Sequence, residues 1–444
     1  MRLAWLPIFA LLVAAEPRKL PEPYQSFADL AGSVPPEFGA EALLRLAESG
    51  KIRDHDARRD LVEQAFRLGG MAKLPVRMRG VAGTMVDTRS GFLSKSYDLK
   101  LDALSLQTRA VRDMVPLDAT KARALFLEIR RQSRSPLTCD DALVYDVADY
   151  YQALGVIVQS TFTPQERKKE DDLKFLMDYL GQVSSALELA PAARLVKGSG
   201  MSGNEQDVLA TRFSGLLESI QPDDRSFAAS LEDIRREITP AMQASFDKYK
   251  QKSEGCRDDS RPGITLQLSQ GPVQAGNTPS LTRYWESGAA KQMLQDGLKL
   301  RFTNDGKMLS EAARTSREWQ QQLLDYLNRL ADWTAGQEKS EADYYHQKCI
   351  VYEGLLDLIP PGPQRDKTMQ AFADFISASN LQQQAPVEWF MQAKSMLDRV
   401  RNSNGEPAKL LDAYQNSGNP VLALLVAEEK IFGTQVPSWV TNSN

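Results

Sequence analysis

Histidine and cysteine are scarce in this chain: two and three residues among 444. With only His55 and His346, histidine-dependent triads and histidine-rich metal centres have too few members. His346, Cys349 and Glu353 stand at i, i+3 and i+7, one ligand short of a zinc set, so no metal site is expected. Long apolar runs are missing beyond the first fifteen residues, which excludes a later membrane-spanning helix. The 54 basic and 58 acidic residues are interspersed and give a net charge of −4, without the basic stripe that tracks a phosphate backbone. Nucleic acid is therefore not expected as a partner. Alternating strand patterns are almost absent, Gly263-Ile-Thr-Leu-Gln-Leu268 being the main candidate.

Short motifs with familiar names fail in context. Gly198-Ser-Gly-Met-Ser-Gly203 spells the dinucleotide fingerprint, which needs a strand before it and a helix after it. Here Glu188–Val196 reads as the broken end of a helix, so the glycines are expected to form a joint, or hinge, between two helices. Ser245-Phe-Asp-Lys248 matches S-x-x-K and Ser417-Gly-Asn419 a loose S-x-N, but no K-T-G or G-x-S-x-G accompanies them. No catalytic residue and no cofactor site is assigned.

The chain does carry an address. Met1–Ala15, MRLAWLPIFALLVAA, has a basic start, a short apolar stretch and small residues before Glu16, the pattern of a cleaved secretory signal. The protein is expected to be exported, to a periplasmic or extracellular place. With 42% hydrophobic and 25% charged residues, the remainder has an ordinary globular composition and should form a sizeable core.

Its periodicity is helical throughout: Leu61, Ala65, Phe66 and Leu68, then Ala122, Leu125, Phe126 and Ile129, with Asp118 placed to cap. Predicted helices fall in pairs: 40–49 with 54–68, 96–114 with 120–131, 140–159 with 164–189, and 205–220 with 226–250. No fixed repeat length runs through them. The reading is all-α, an irregular, α-solenoid-like array of antiparallel helix pairs.

Residues 254–281, rich in Gly, Pro, Ser and Asn, divide a lobe over 16–253 from one over 282–444. The second lobe holds Trp285, Trp319, Trp333, Trp389 and Trp439. It contains two seams, Ala312-Ser316-Trp319-Leu323-Tyr326-Leu330-Trp333 and Ala342-Tyr345-Cys349-Tyr352-Leu356-Ile359, expected to face each other as a helical hairpin. Cys139 and Cys256 fall at element ends. In an oxidising compartment they are expected to form a disulfide, with Cys349 buried and reduced.

The runs Leu101–Val111, Asp118–Phe126 and Leu137–Asp141 resemble segments of exported bacterial all-helical proteins of unassigned function, a resemblance over the first lobe that implies no activity. The alternation of Ala122 and Ala124 with Leu125 and Phe126 is similar to tetratricopeptide packing, although that family's pattern is not met. The function expected is a non-catalytic, exported helical scaffold that binds a protein or peptide between helix pairs. A cell-envelope polysaccharide hydrolase or lyase on a helical fold is the alternative, and a factor that holds unfolded exported chains a third reading.

Overall fold

The computed structural model describes residues 19–80, 88–130, 134–138, 141, 143–221, 224–252, 288–303, 305–402 and 407–433. It is 73% helical, so the all-α class holds. Residues 1–15, the predicted strand at 263–268, the linker over 254–281, Trp285, Trp439 and both Cys139 and Cys256 lie outside the described residues. No helix among the described residues is long and apolar enough to cross a membrane.

The first helices are α1 (Tyr24–Ser33), α2 (Pro36–Glu48), α3 (His55–Gly69), α4 (Thr88–Tyr97), α5 (Ala103–Met114), α6 (Ala119–Glu128) and α7 (Ala148–Ser160). They are followed by α8 (Pro164–Lys168), α9 (Asp171–Leu180), α10 (Ala186–Lys197), α11 (Gly203–Ser219), α12 (Asp224–Glu237) and α13 (Gln243–Tyr249). Beyond residue 287 come α14 (Gly288–Lys299), α15 (Glu311–Arg314), α16 (Arg317–Asp332), α17 (Glu341–Leu358) and α18 (Pro363–Ala378). The chain closes with α19 (Leu381–Gln384), α20 (Pro386–Asn402), α21 (Pro407–Asn416) and α22 (Pro420–Phe432).

Local chemistry sets many of the starts. The Asp54, Asp102 and Asp118 side chains accept from the third backbone N–H of α3, α5 and α6, satisfying a donor that the helix leaves orphaned. Thr163 with Glu166, and Ser185 with Glu188, form capping boxes. The second box starts α10 at Ala186, so Glu188–Val196 is a continuing helix through Pro191 rather than a broken end. The run predicted as one helix over 164–189 is likewise divided, because new caps begin α9 and α10 after short turns.

One β-ladder occurs among the described residues: β1 (Met78–Gly80) pairs antiparallel with β2 (Leu143–Tyr145), Arg79 opposite Val144. The helix expected from residue 140 therefore starts only at Ala148. Arg77, next to β1, holds the far end of the ladder through Asp146 at 2.7 Å and Asp149 at 3.5 Å.

Packing follows chain order through the first half: α2 on α3, α3 on α5, α5 on α7, α7 on α10, and α10 on α12. In the second half α17 packs on α14, α18 and α20, and α18 on α21. One contiguous apolar core runs from Phe27 to Phe432. The two halves meet at several places. Here α1 lies on α22, with Phe27 edge-on to Phe432 at 5.5 Å, and α4 lies on α20. Phe38 of α2 also meets Phe390 of α20 at 4.7 Å.

The first aromatic seam is buried at Trp319, Leu323, Tyr326, Leu330 and Trp333, but Ser316 interrupts it by capping α16 at Trp319 N–H. The second is buried from Tyr345 to Ile359. The two seams touch at one end and border a common cleft beyond it. Trp333 meets Tyr344 edge-on at 5.8 Å, while farther along a cleft of about 380 Å³ separates Leu327 and Leu330 from Tyr352 and Thr368.

Candidate functional site

The place where α4 meets α20 contains a small cavity of about 180 Å³, walled by Leu74, Tyr97, Gln384, Pro386, Val387 and Glu388. Its parts come from both halves of the chain. Lys73 and Leu74 follow α3, Tyr97 ends α4, and α19 with the start of α20 supplies the remainder. Pro386 opens α20, where a missing N–H costs nothing, and so aims the first turn of that helix at the cavity. Lys73 closes the rim by donating to the Gln383 carbonyl.

The lining carries two charged groups, Lys73 at the rim, turned to the Gln383 carbonyl, and Glu388. Its Oε2 lies 3.1 Å from His346 Nε2, and His346 Nδ1 lies 3.2 Å from the Gln392 side-chain nitrogen. The amide donates to Nδ1, so the imidazole hydrogen sits on Nε2 and points at the carboxylate. His346 is fully buried, with Phe92 of α4 stacked on it at 4.6 Å. The ring is thereby locked, and it fixes the carboxylate from behind. Tyr97 is half-buried; desolvation, and after it the nearby Glu388, push its hydroxyl up to about 12, so it remains neutral. Among the described residues no lysine or arginine forms an ion pair with Glu388. The arrangement is a carboxyl group held by a buried ring beside a neutral hydroxyl: it can bind a cation or a hydrogen-bond donor.

The sequence motifs take other places. Ser245 and Lys248 both turn to Glu218, at 3.2 and 3.0 Å, on the exposed side of α13. His346, Cys349 and Glu353 diverge: the first faces Glu388, Cys349 lies buried against Tyr345, and Glu353 pairs with Arg399 at 3.0 Å. No group of three or more potential ligands able to hold a metal occurs among the described residues. Trp319, Trp333 and Trp389 are core residues, and the Trp389 indole donates to the Ile376 carbonyl.

The glycine joint is tightly bonded. Ser202 and Glu205 form a capping box, Gln206 donates to the Val196 carbonyl at 2.9 Å, and Gln159 donates to the Gly198 carbonyl at 2.7 Å. Gly200 takes φ +73°, the turn conformation that glycine accepts without strain.

Sequence reading missed Glu388 as a site. It stands in Val387-Glu-Trp-Phe390, where the tryptophan drew the eye, and its histidine partner lies 42 positions away. Comparison of the chain with protein-family models, curated proteins and solved structures gave no match.

Proposed function

We propose that this is an exported, non-catalytic binding protein, an irregular array of helix pairs that receives a peptide segment where its two halves meet. The observation that carries the reading is Glu388: a carboxyl group fixed by His346, with no lysine or arginine paired to it among the described residues, in a cavity of about 180 Å³ built from both halves. A lysine or arginine side chain of a partner would supply the absent cation, and Tyr97 would accept from its remaining N–H groups.

Selection of displayed random peptides on the protein tests this. Enrichment of a basic position on the wild-type chain, lost on Glu388→Gln, is the expected result. The amide keeps the hydrogen bond to His346 and removes only the charge. Equal enrichment on both proteins, or none on either, would overturn the reading. Trp319, Trp333 and Trp389 are buried and none of the three offers a sugar a stacking face, so peptide binding is preferred to the polysaccharide alternative.

A further inference from the structure

A second cavity, of about 200 Å³, lies between α14, α17 and α20, away from the α4–α20 junction. Its walls are apolar: Leu294 and Leu298 from α14, Val351 and Leu355 from α17. Leu298 is 53% exposed, so the opening has an oily lip.

Two glycines line this space, Gly297 and Gly354. Each sits inside a helix, where glycine is the weakest former after proline. Gly297 has a packing reason, since a Cβ there would stand 3.0 Å from the Tyr326 hydroxyl. Gly354 has none: a Cβ would meet nothing within 4 Å. Its φ is not positive and no neighbour demands its bareness. What its missing side chain provides is the floor of the cavity.

The charges around the cavity are unequal. Glu353 is held by Arg399 at 3.0 Å, and Arg399 is further engaged by Asp357 at 3.0 Å. Burial raises the Glu353 carboxyl, with Arg399 the main influence opposing it. Arg301, by contrast, is half-buried and its guanidinium has no partner among the described residues, although its backbone is fixed by bonds to Leu298 and Leu309. The lining therefore carries two guanidiniums and one carboxyl, and one of the guanidiniums, that of Arg301, is unpaired among the described residues.

We infer that this cavity is a binding site for a small monocarboxylate with an apolar body, its carboxylate on Arg301 and its chain over Gly354 between α14 and α17. An arginine fork matches a carboxylate with two parallel hydrogen bonds, which a neutral or cationic head group cannot form. The site does not depend on the peptide reading, because it shares no residue with the Glu388 cavity.

Calorimetric titration of the full chain with octanoate, octanol and octylamine is the test. One saturable octanoate site is expected, with octanol and octylamine at least about tenfold weaker. Arg301→Gln should weaken octanoate by about tenfold or more while leaving octanol unchanged. Gly354→Leu should abolish octanoate binding without lowering the melting temperature, since it fills the floor and improves the helix. Octanoate that does not bind at millimolar concentration, or binds both variants as it binds the wild type, would overturn the inference.

Discussion

Arg45 of α2 and Glu428 of α22 form a 2.9 Å ion pair across 383 positions of sequence. Both side chains are nearly covered, and the Arg45 guanidinium also lies over Phe432 at 4.7 Å. Burial pushes the Glu428 carboxyl upward, and Arg45 is the strongest group opposing that shift. Removing the arginine alone leaves a buried carboxylate without its charge partner. Arg45→Met should cost about 3 kcal/mol at neutral pH, while the double variant Arg45→Met/Glu428→Leu should recover most of it. Urea unfolding of the three proteins measures both, and the single-variant loss should shrink in acid as Glu428 takes up a proton.

Asp102 caps α5 through one oxygen, accepting from Ser105 N–H at 2.9 Å, and its other oxygen is buried without a partner. Burial lifts its carboxyl to about 6, against Ser105 and Arg77, which lower it. The native state therefore holds this proton more tightly than the unfolded chain. Its contribution to stability is full below about pH 4 and is lost as pH rises through about 6, by up to about 3 kcal/mol. Asp102→Asn keeps the cap and removes the charge. The variant should match wild type at pH 4 and exceed it at pH 8, as read by denaturant midpoints.

Lys348 runs the opposite way. It is buried with its ammonium donating to the Trp333 carbonyl and the Tyr344 hydroxyl, both at 2.9 Å, and burial lowers it to about 8. Here the unfolded chain binds the proton more tightly, so this group's contribution improves as pH rises from about 8 to about 10.5. Lys348→Met leaves the Trp333 carbonyl satisfied, because Tyr344 donates to it at 2.8 Å. The variant should be more stable by about 1–3 kcal/mol at pH 7, with the advantage gone near pH 10.

The glycine joint separates a hinge from a cap. Gly200→Ala places a side chain at φ +73° and should cost about 1–2 kcal/mol. Gly203→Ala, in the first turn of α11 with open space around it, should be neutral or slightly stabilising. Thermal melts of the two variants measure the difference. Slow amide exchange over residues 199–206 would accompany a bonded cap, and fast exchange a hinge.

Helices were legible where one residue type does one physical task. Asp118 and the seam from Trp319 to Trp333 read directly, since capping and a buried stripe are local consequences of spacing. Failures arose where distant residues decide. The strand Leu143–Tyr145 exists because Met78–Gly80 pairs with it, which nothing in its own apolar composition announces. The seams of α16 and α17 were expected to face each other, and Trp333 does meet Tyr344, but the broader packing of α17 on α14, α18 and α20 is set by loop path rather than periodicity. Of the two cavities, Gly354 in the interior of α17 was a readable signal. Glu388 was not, because its meaning depends on His346 being folded behind it.

The contact of α1 with α22 also governs the order in which the molecule can be completed. Phe27 is 2% exposed because Phe432, in the last described helix, covers it. During synthesis α1 can pack on its neighbour α2 at once, but the face that meets Phe432 waits until some four hundred further residues exist. Closing so long a loop is entropically costly and comes late, after the neighbouring pairs α2–α3 and α3–α5 have formed locally. Helix α1 is thus seated early on one side and late on the other, and until α22 arrives that second face is an apolar handle open to whatever accompanies the nascent chain.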